Sequence, residues 1–491
     1  MAVSEMHHFF LRRGAAPVFF AFLAAMPVLS GAGPAANAQA ANPSSISDPF
    51  YGSVTAKPVS DEAIKLSLDG AIQLGLDNNL GLEEARNDEK ALQGEKNEAL
   101  QQFLPTITLT GDTGIHQYNL AALGFTSSVA ARFTSLLPPG AVFSPITRDD
   151  LTEGQIHFKE TLFSGPVIAG YKAAGSAQRV AYYATESAIG QVVQNVATAY
   201  LQAIAAASDV ENAKALLAQD QVALDHAHAA HEAGTESNLD ELRARVQFQA
   251  QQQALIAAAN DDEKDLILLK REIGIDPGQK IELTDRAPYN ELASRTPEEV
   301  MVIAYKNRQN YQNLINQVAE YKAIHAAYRS ERLPTLSFNG YYGSSTVNGS
   351  GTHGNFAAIG TLSFPIFREA RLRGDEDAAE AQLNAVEAQL ADLRTQIDQQ
   401  VRDALLDVSA TAKLVEVARS NVALATRELS DETERVNAGV DDNLPLVAAQ
   451  ASLASAQNNL VQSLYQYNVA KLALARAAGI IQTQYRDYIG R

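Results

Sequence analysis

The chain repeats itself, and the repeat fixes most of what it can become. Residues 75–111 align without a gap to 304–340 at a constant offset of 229, with Asn78 on Asn307, Asn87 on Asn316 and Leu104-Pro105-Thr106 on Leu333-Pro334-Thr335. Farther on, Ala233-Gly234, Asn238-Leu239, Arg271 and Gly274-Ile275 match Ala438-Gly439, Asn443-Leu444, Arg476 and Gly479-Ile480 at offset 205. The first copy thus carries 24 more residues between its matched blocks. A unit of more than 180 residues has been duplicated, which excludes a short-period solenoid.

Each unit reads as helix, strand, loop, strand, long helix, tight turn, helix. Thr296-Pro297-Glu298-Glu299 predicts a helix start, with Thr296 as cap, Pro297 at the first position and Glu299 closing a capping box. That helix is expected to run to Arg332, because Pro334 disfavours helical angles at Leu333. In the first unit a helix from about Ser67 stops the same way before Pro105. After each proline the period becomes two, in Thr106–Thr110 and in Thr335–Asn339. Gln155–Phe163 and Phe356–Phe364 read as the returning strands, so four amphipathic strands are expected. Residues 112–154 and 343–355 are expected as loops, the second Gly- and Ser-rich.

The long helices carry the most regular signal. Leu383, Val386, Leu390, Leu393 and Ile397 step as a heptad seam, and Val401, Leu405 and Val408 then change to an eleven-residue advance, which straightens a coiled coil. Ile189, Val192, Val193, Val196 and Tyr200 form the matching stripe, beside the small residues 203–207. From Pro166 to Ala233 such a helix spans about 100 Å at 1.5 Å per residue. Gly234 and Gly439 then fit left-handed caps, with Asn238 and Asn443 as the next helix caps. These are two hairpin tips.

Residues 1–40 read as a signal peptide: Arg12 and Arg13, an apolar stretch from Ala15 to Leu29, and the Ala38-Gln39-Ala40 cleavage site. A membrane-anchoring helix is the rival reading, but the stretch is short and broken by Pro17 and Pro27. Cleavage removes Glu5, Arg12 and Arg13 and takes the formal charge from −18 to −19. So acidic a chain is a poor nucleic-acid binder. No Cys occurs in 491 residues, which excludes disulfides, thiolate metal sites and a lipidated amino terminus. No later run of 18 apolar residues remains, so any membrane insertion must use strands.

Chemistry is missing from the pattern. There is no phosphate loop, no H-E-x-x-H and no G-x-S-x-G, so neither catalytic residues, metal site nor cofactor is expected. His228 and His231 share a helix face, but His226 lies about 160° from His228, which argues for a solvated face. Glu236, Asp240, Glu241, Asp441 and Asp442 follow the tips, where carboxylates also favour the helix dipole.

The twofold repeat, the two Leu-Pro-Thr junctions, Leu162-Phe163-Ser164-Gly165, Phe364-Pro365-Ile366-Phe367 and the Gly-bearing tips resemble, in that order, the TolC-like outer-membrane efflux protein family. The resemblance covers roughly 67–480. It implies a mainly α fold with a small β part. Long coiled-coil helices would form a periplasmic α-barrel, and four strands per chain would join a shared β-barrel in the outer membrane of a homotrimer. It also implies a passive conduit from periplasm to exterior, in tripartite efflux or type I secretion, partnered by a periplasmic adaptor and an inner-membrane pump. Adaptor docking would fall on Ala233, Gly234, Thr235, Ala438, Gly439 and Val440. Glu236, Asp240, Asp441 and Asp442 would narrow the periplasmic mouth. Asp240 matches an aspartate of the family's first tip, whereas the second tip carries Pro445 there. The expected segments are 1–40 signal, 41–66 linker, 67–285 and 286–480 repeats, and 481–491 tail. Four strands alone cannot close a barrel, so oligomerisation must remove their edges. The rival is a coiled-coil structural protein without a pore, in which paired strands at matching places have no purpose.

Overall fold

The computed structural model describes residues 48–54, 59–60, 62–132, 146–234, 237–285, 289–293, 295–348, 351–438 and 443–489. The expected signal peptide lies outside the described residues.

The linker ends in β1 (Ile64–Leu66), and the first repeat contains α1 (Leu68–Asn78), α2 (Leu80–Gln101), β2 (Thr106–Asn119), the one-turn α3 (Ser127–Ala130), β3 (Ile146–Phe163), α4 (Gly165–Glu232), α5 (Asn238–Glu272) and β4 (Ile281–Leu283). The second contains α6 (Pro297–Asn307), α7 (Gln309–Ser330), β5 (Thr335–Val347), β6 (Thr352–Ser363), α8 (Glu369–Asn437) and α9 (Asn443–Ala477), followed by α10 (Ile481–Ile489). Helix starts follow local chemistry. The Thr296 hydroxyl accepts from Glu299 N at 3.3 Å while the Glu299 carboxylate accepts from Thr296 N at 3.0 Å, the reciprocal capping box that the sequence predicts.

Several expectations need correction. The single helix expected before each Leu-Pro-Thr is two helices, broken at Asn79 and Arg308, whose ψ values of 130° and 120° are extended. Asn79 Oδ1 then accepts from Leu82 N at 3.2 Å and restarts the helix, while its Nδ2 donates to Phe50 O at 2.7 Å. The expected loops shrink, because β2 runs on to Asn119, β3 begins at Ile146, and β5 and β6 reach Val347 and Thr352. Barrel-type strands rich in Gly, Ser and Thr carry a weak signal per residue, so their outer ends read as loop. A parallel pair escaped sequence reading altogether: Ile64–Leu66 lies beside Ile281–Leu283. The segment expected as a tail is the helix α10, with Ile481, Tyr488 and Ile489 buried.

The larger sheet has strand order β2-β3-β5-β6, antiparallel throughout. Each strand is continuous with a helix, β2 with α2, β3 with α4, β5 with α7 and β6 with α8. The helices keep that order, α2 against α4, α4 against α7, and α7 against α8. Below them, α4 pairs with α5 and α8 with α9. The coiled-coil seam is observed, with Val386, Leu393, Ile397 and Val401 buried. So is the stripe Val192, Val193, Val196 and Tyr200 in α4.

The core collects where α1, α4, α6, α8, α9 and α10 meet around β1 and β4. The Tyr200 hydroxyl sits 2.9 Å from Leu66 O and 3.0 Å from Asp285 Oδ2, fastening both short strands to α4. Gly274 and Gly479 end α5 and α9 with φ of 74° and 72°. Ile480 N donates to Ala475 O at 3.0 Å, and Gly479 N to Arg476 O at 2.9 Å, so the last carbonyls are satisfied. A Cβ on Gly479 would lie 2.6 Å from Arg308 N, so this turn seats directly against the break between α6 and α7.

Candidate functional site

Two regions can carry function, the sheet and the helical tips. The sheet has two chemically distinct faces. Following the register, Leu109, Ile156, Tyr342 and Phe356 stand side by side on one face. One residue along, Thr108, His157, Tyr341 and Ala357 occupy the other. The first face continues with Ile107, Phe158 and Leu362, and is largely exposed, Leu109 at 79%. On the second face Asp112, Glu153, Ser345 and His353 lie in one row. His157 Nε2 is 3.1 Å from Thr110 Oγ1, and its ring is tilted against Tyr341 at 5.6 Å. An apolar face beside a polar one, on strands of 12 to 18 residues, matches a wall with lipid outside and water inside. No described helix is long and apolar enough to cross a membrane.

At the first tip, α4 ends at Glu232. Ala233 N donates to Ala229 O at 3.0 Å, and Gly234 takes φ 72°. Nothing lies within 4 Å of a Cβ built on Gly234, so its surroundings are open. Ser237, not Asn238, is the cap position of α5, and it makes no side-chain bond to the helix backbone. Its hydroxyl instead donates to Asp240 Oδ2 at 2.6 Å, while Arg243 Nη1 donates to Oδ1 at 3.2 Å. The Ser237 bond, ahead of Arg243, holds the Asp240 carboxyl below its ordinary range. Ala438 ends α8 as Ala233 ends α4. Thr235, Glu236, Gly439, Val440, Asp441 and Asp442 lie outside the described residues.

Sequence reasoning missed how the first hairpin is held. Glu241 is buried and accepts from Arg245 Nη2 at 2.7 Å, with His228 Nδ1 across the hairpin at 3.3 Å. His228 therefore bridges two helices instead of only facing solvent. Asp220, also buried, accepts from Gln247 at 3.4 Å, and burial raises its carboxyl. The second hairpin is knit differently, by Leu429, Leu446 and Leu453 with Ala425, Ala449 and Ala456. Helical periodicity points to both seams but not to the polar partners in the first. Among the described residues, no three His, Cys, Asp or Glu side chains gather as a metal site.

A family model described as outer membrane efflux protein matches residues 71–274 and 301–480, one block in each repeat. The fold is shared with solved structures at low identity. A membrane protein from Pseudomonas aeruginosa superposes with TM-score 0.71 at 19% identity, over 84% of this chain and 93% of that one. The outer membrane protein VceC from Vibrio cholerae gives 0.68 at 18%, over 84% and 96%. The Campylobacter jejuni CmeC outer membrane channel gives 0.69 at 15%, over 91% and 94%. No curated protein matches the sequence. Because the family match spans most of both repeats, the chain belongs to the outer membrane efflux protein family and is an outer-membrane channel subunit with a helical periplasmic extension, not an enzyme.

Proposed function

We propose that three copies of this chain form the passive outer conduit of an export machine, and that a periplasmic adaptor, itself joined to an inner-membrane pump, docks on the hairpin tips. The observation that supports this is the continuity of α4. Its 68 residues carry the chain about 100 Å from the strand at one end to the open turn at Gly234 at the other. An adaptor in the periplasm would meet Ala233, Gly234, Thr235, Ala438, Gly439 and Val440 first.

The test compares Gly234→Ala with Gly234→Tyr. Both residues bear the same left-handed backbone cost, and the Cβ that each adds has no heavy atom within 4 Å. Docking requires that the Tyr variant lose export while the Ala variant keeps it, with trimers intact in both on native gels. Equal export by the two variants would remove the first tip from the docking surface.

The acidic residues beyond the tips are proposed to narrow the periplasmic mouth. Threefold symmetry would bring Glu236, Asp240, Asp441 and Asp442 into sets of three, and converging carboxylates attract cations. Arg243 already offsets part of the Asp240 charge. Changing Asp441 and Asp442 together to Ala should weaken divalent-ion block and cation preference in planar bilayers. Unchanged selectivity in that double variant would leave these residues with helix capping alone.

A further inference from the structure

The sheet and the helices that continue it form an open row, and the two repeats of the chain specify how one copy must join the next. The registers show that β5 is β2 displaced by 229 residues and that β6 is β3 displaced by 204. The same 204 separates Gly165 from Glu369, the first residues of α4 and α8, and therefore Leu162-Phe163 from Ile366-Phe367. Inside the chain, the corner between β3 and α4 is covered by the second repeat. Phe163 pairs with Leu336, and a Cβ on Gly165 would lie 2.8 Å from Ser330 and 3.2 Å from Leu333. Among the described residues, the equivalent corner between β6 and α8 has no such neighbour. Leu162 and Phe163 are 54% and 43% exposed, whereas Ile366 and Phe367 are 93% and 96% exposed.

The missing neighbour has a counterpart at the opposite end of the row. Leu336 and Leu333 correspond, at 229, to Ile107 and Leu104, which are 66% and 47% exposed. They lie on β2 and just before it, at the other open edge. The geometry points to a second copy of this chain as the occupant: its Ile107 pairs with Phe367 as Leu336 pairs with Phe163, and its Leu104 lies beside the start of α8 as Leu333 lies beside the start of α4. Carrying the pairing of β3 with β5 over by the same two displacements sets the register of the whole seam. Gly360 then faces Thr113 of the next copy, and Ala358 faces its Ile115. This register keeps apolar with apolar face, since Phe356, Ala358 and Leu362 alternate in step with Leu109, Gly111 and Ile115. One departure from the repeat shapes the contact. Glu369 stands where Gly165 does, and its carboxylate is turned to Arg332 and Arg373 of its own chain. The next copy therefore meets the apolar pair, not the helix backbone. The inference rests on the channel reading above and adds the register and the contact residues to it.

The chain contains no Cys, so introduced thiols report without background. Two in-register pairs, Phe367→Cys with Ile107→Cys and Gly360→Cys with Thr113→Cys, are compared with the slipped pair Gly360→Cys with Ile115→Cys. Facing residues in antiparallel strands sit about 4.5–5.5 Å apart at Cα, within disulfide reach, while diagonal neighbours are about 7–8 Å apart. Mild oxidation should give covalent trimers on non-reducing gels for both in-register pairs, and faster than for the slipped pair, whose Cα separation lies at or beyond the reach of a disulfide. Intact trimers in which the slipped pair reacts faster, or in which neither in-register pair reacts, would overturn the register and leave the channel reading standing. A Cys-free parent that is monomeric in detergent would overturn both.

Discussion

The Tyr467 hydroxyl donates to the Asn290 carbonyl at 3.0 Å, and so staples the segment ahead of α6 onto α9. Leu292 N donates to the same hydroxyl at 3.1 Å. Lys471 Nζ reaches Asn290 O at 3.3 Å and lies 4.5 Å over the Tyr467 ring, with burial lowering its ammonium to about 8. Removing the hydroxyl with Tyr467→Phe leaves the half-buried Leu292 N–H without this partner. A loss of about 1–3 kcal/mol is expected, read as a lower thermal midpoint with the trimer still formed. An unchanged midpoint would mean that the Tyr467 hydroxyl does not hold the segment, leaving Lys471 and packing to do so.

Glu272 gives a pH dependence whose sign can be worked out. The side chain is 1% exposed, Oε2 has no hydrogen-bond partner, and burial raises the carboxyl to about 8 despite the nearby Arg271. Below about pH 4.5 the group is protonated in both folded and unfolded chains, and contributes nothing. Between 4.5 and 8 only the unfolded chain ionises, so stability falls as pH rises. Above 8 the full penalty applies, on the order of a few kcal/mol. Glu272→Gln should therefore match wild type near pH 4.5 and exceed it increasingly up to pH 9. A melting-temperature difference that stays constant over that range would contradict this account.

Two glycines with the same φ of 72° should respond differently to Ala. Gly234 has open space, so Gly234→Ala bears only the left-handed cost of about 1–2 kcal/mol. Gly479→Ala adds a collision with the backbone of Arg308, and a total loss of more than about 3 kcal/mol is expected. Trimer yield after mild heating ranks the two variants. Equal yields would remove the contact between the α9 turn and the break before α7.

The two faces of the sheet can be told apart with a single charge. Leu109→Arg places a guanidinium on the apolar face and should cost about 2–4 kcal/mol if that face meets lipid. Thr108→Arg, one residue away on the polar face, should be tolerated. Recovery of folded protein from outer membranes distinguishes them, and equal recovery would contradict the sidedness of the sheet.

Proline and glycine made most of this architecture legible. Pro105 and Pro334 end helices through purely local sterics, and Gly234, Gly274 and Gly479 take a backbone angle that few other residues accept. Seam residues such as Ile397 and Val401 were legible for a related reason, since burial on one helix face repeats with the helix. The breaks at Asn79 and Arg308 were not, because the helical pattern continues through both and the extended angle is imposed by packing on Phe50 and Gly479. Three-residue strands such as Ile64–Leu66 offer no period to detect, and their partner lies more than 200 residues away. At the tips, position in the repeat was readable. The pairing of His228 with Glu241 was not, because it depends on how two helices face one another.

The open edges of the sheet also bear on inheritance. A copy whose β2 edge is spoiled but whose β6 edge is sound can still join a neighbour, and the ring then fails to close at that place. Such an allele would be dominant over the wild type rather than recessive. If both are made equally and mix at random, only about one trimer in eight would contain no damaged copy. A null allele, by contrast, would merely lower the number of channels. Partial-diploid strains carrying edge substitutions should therefore show export defects far deeper than those of strains carrying a deletion beside the intact gene.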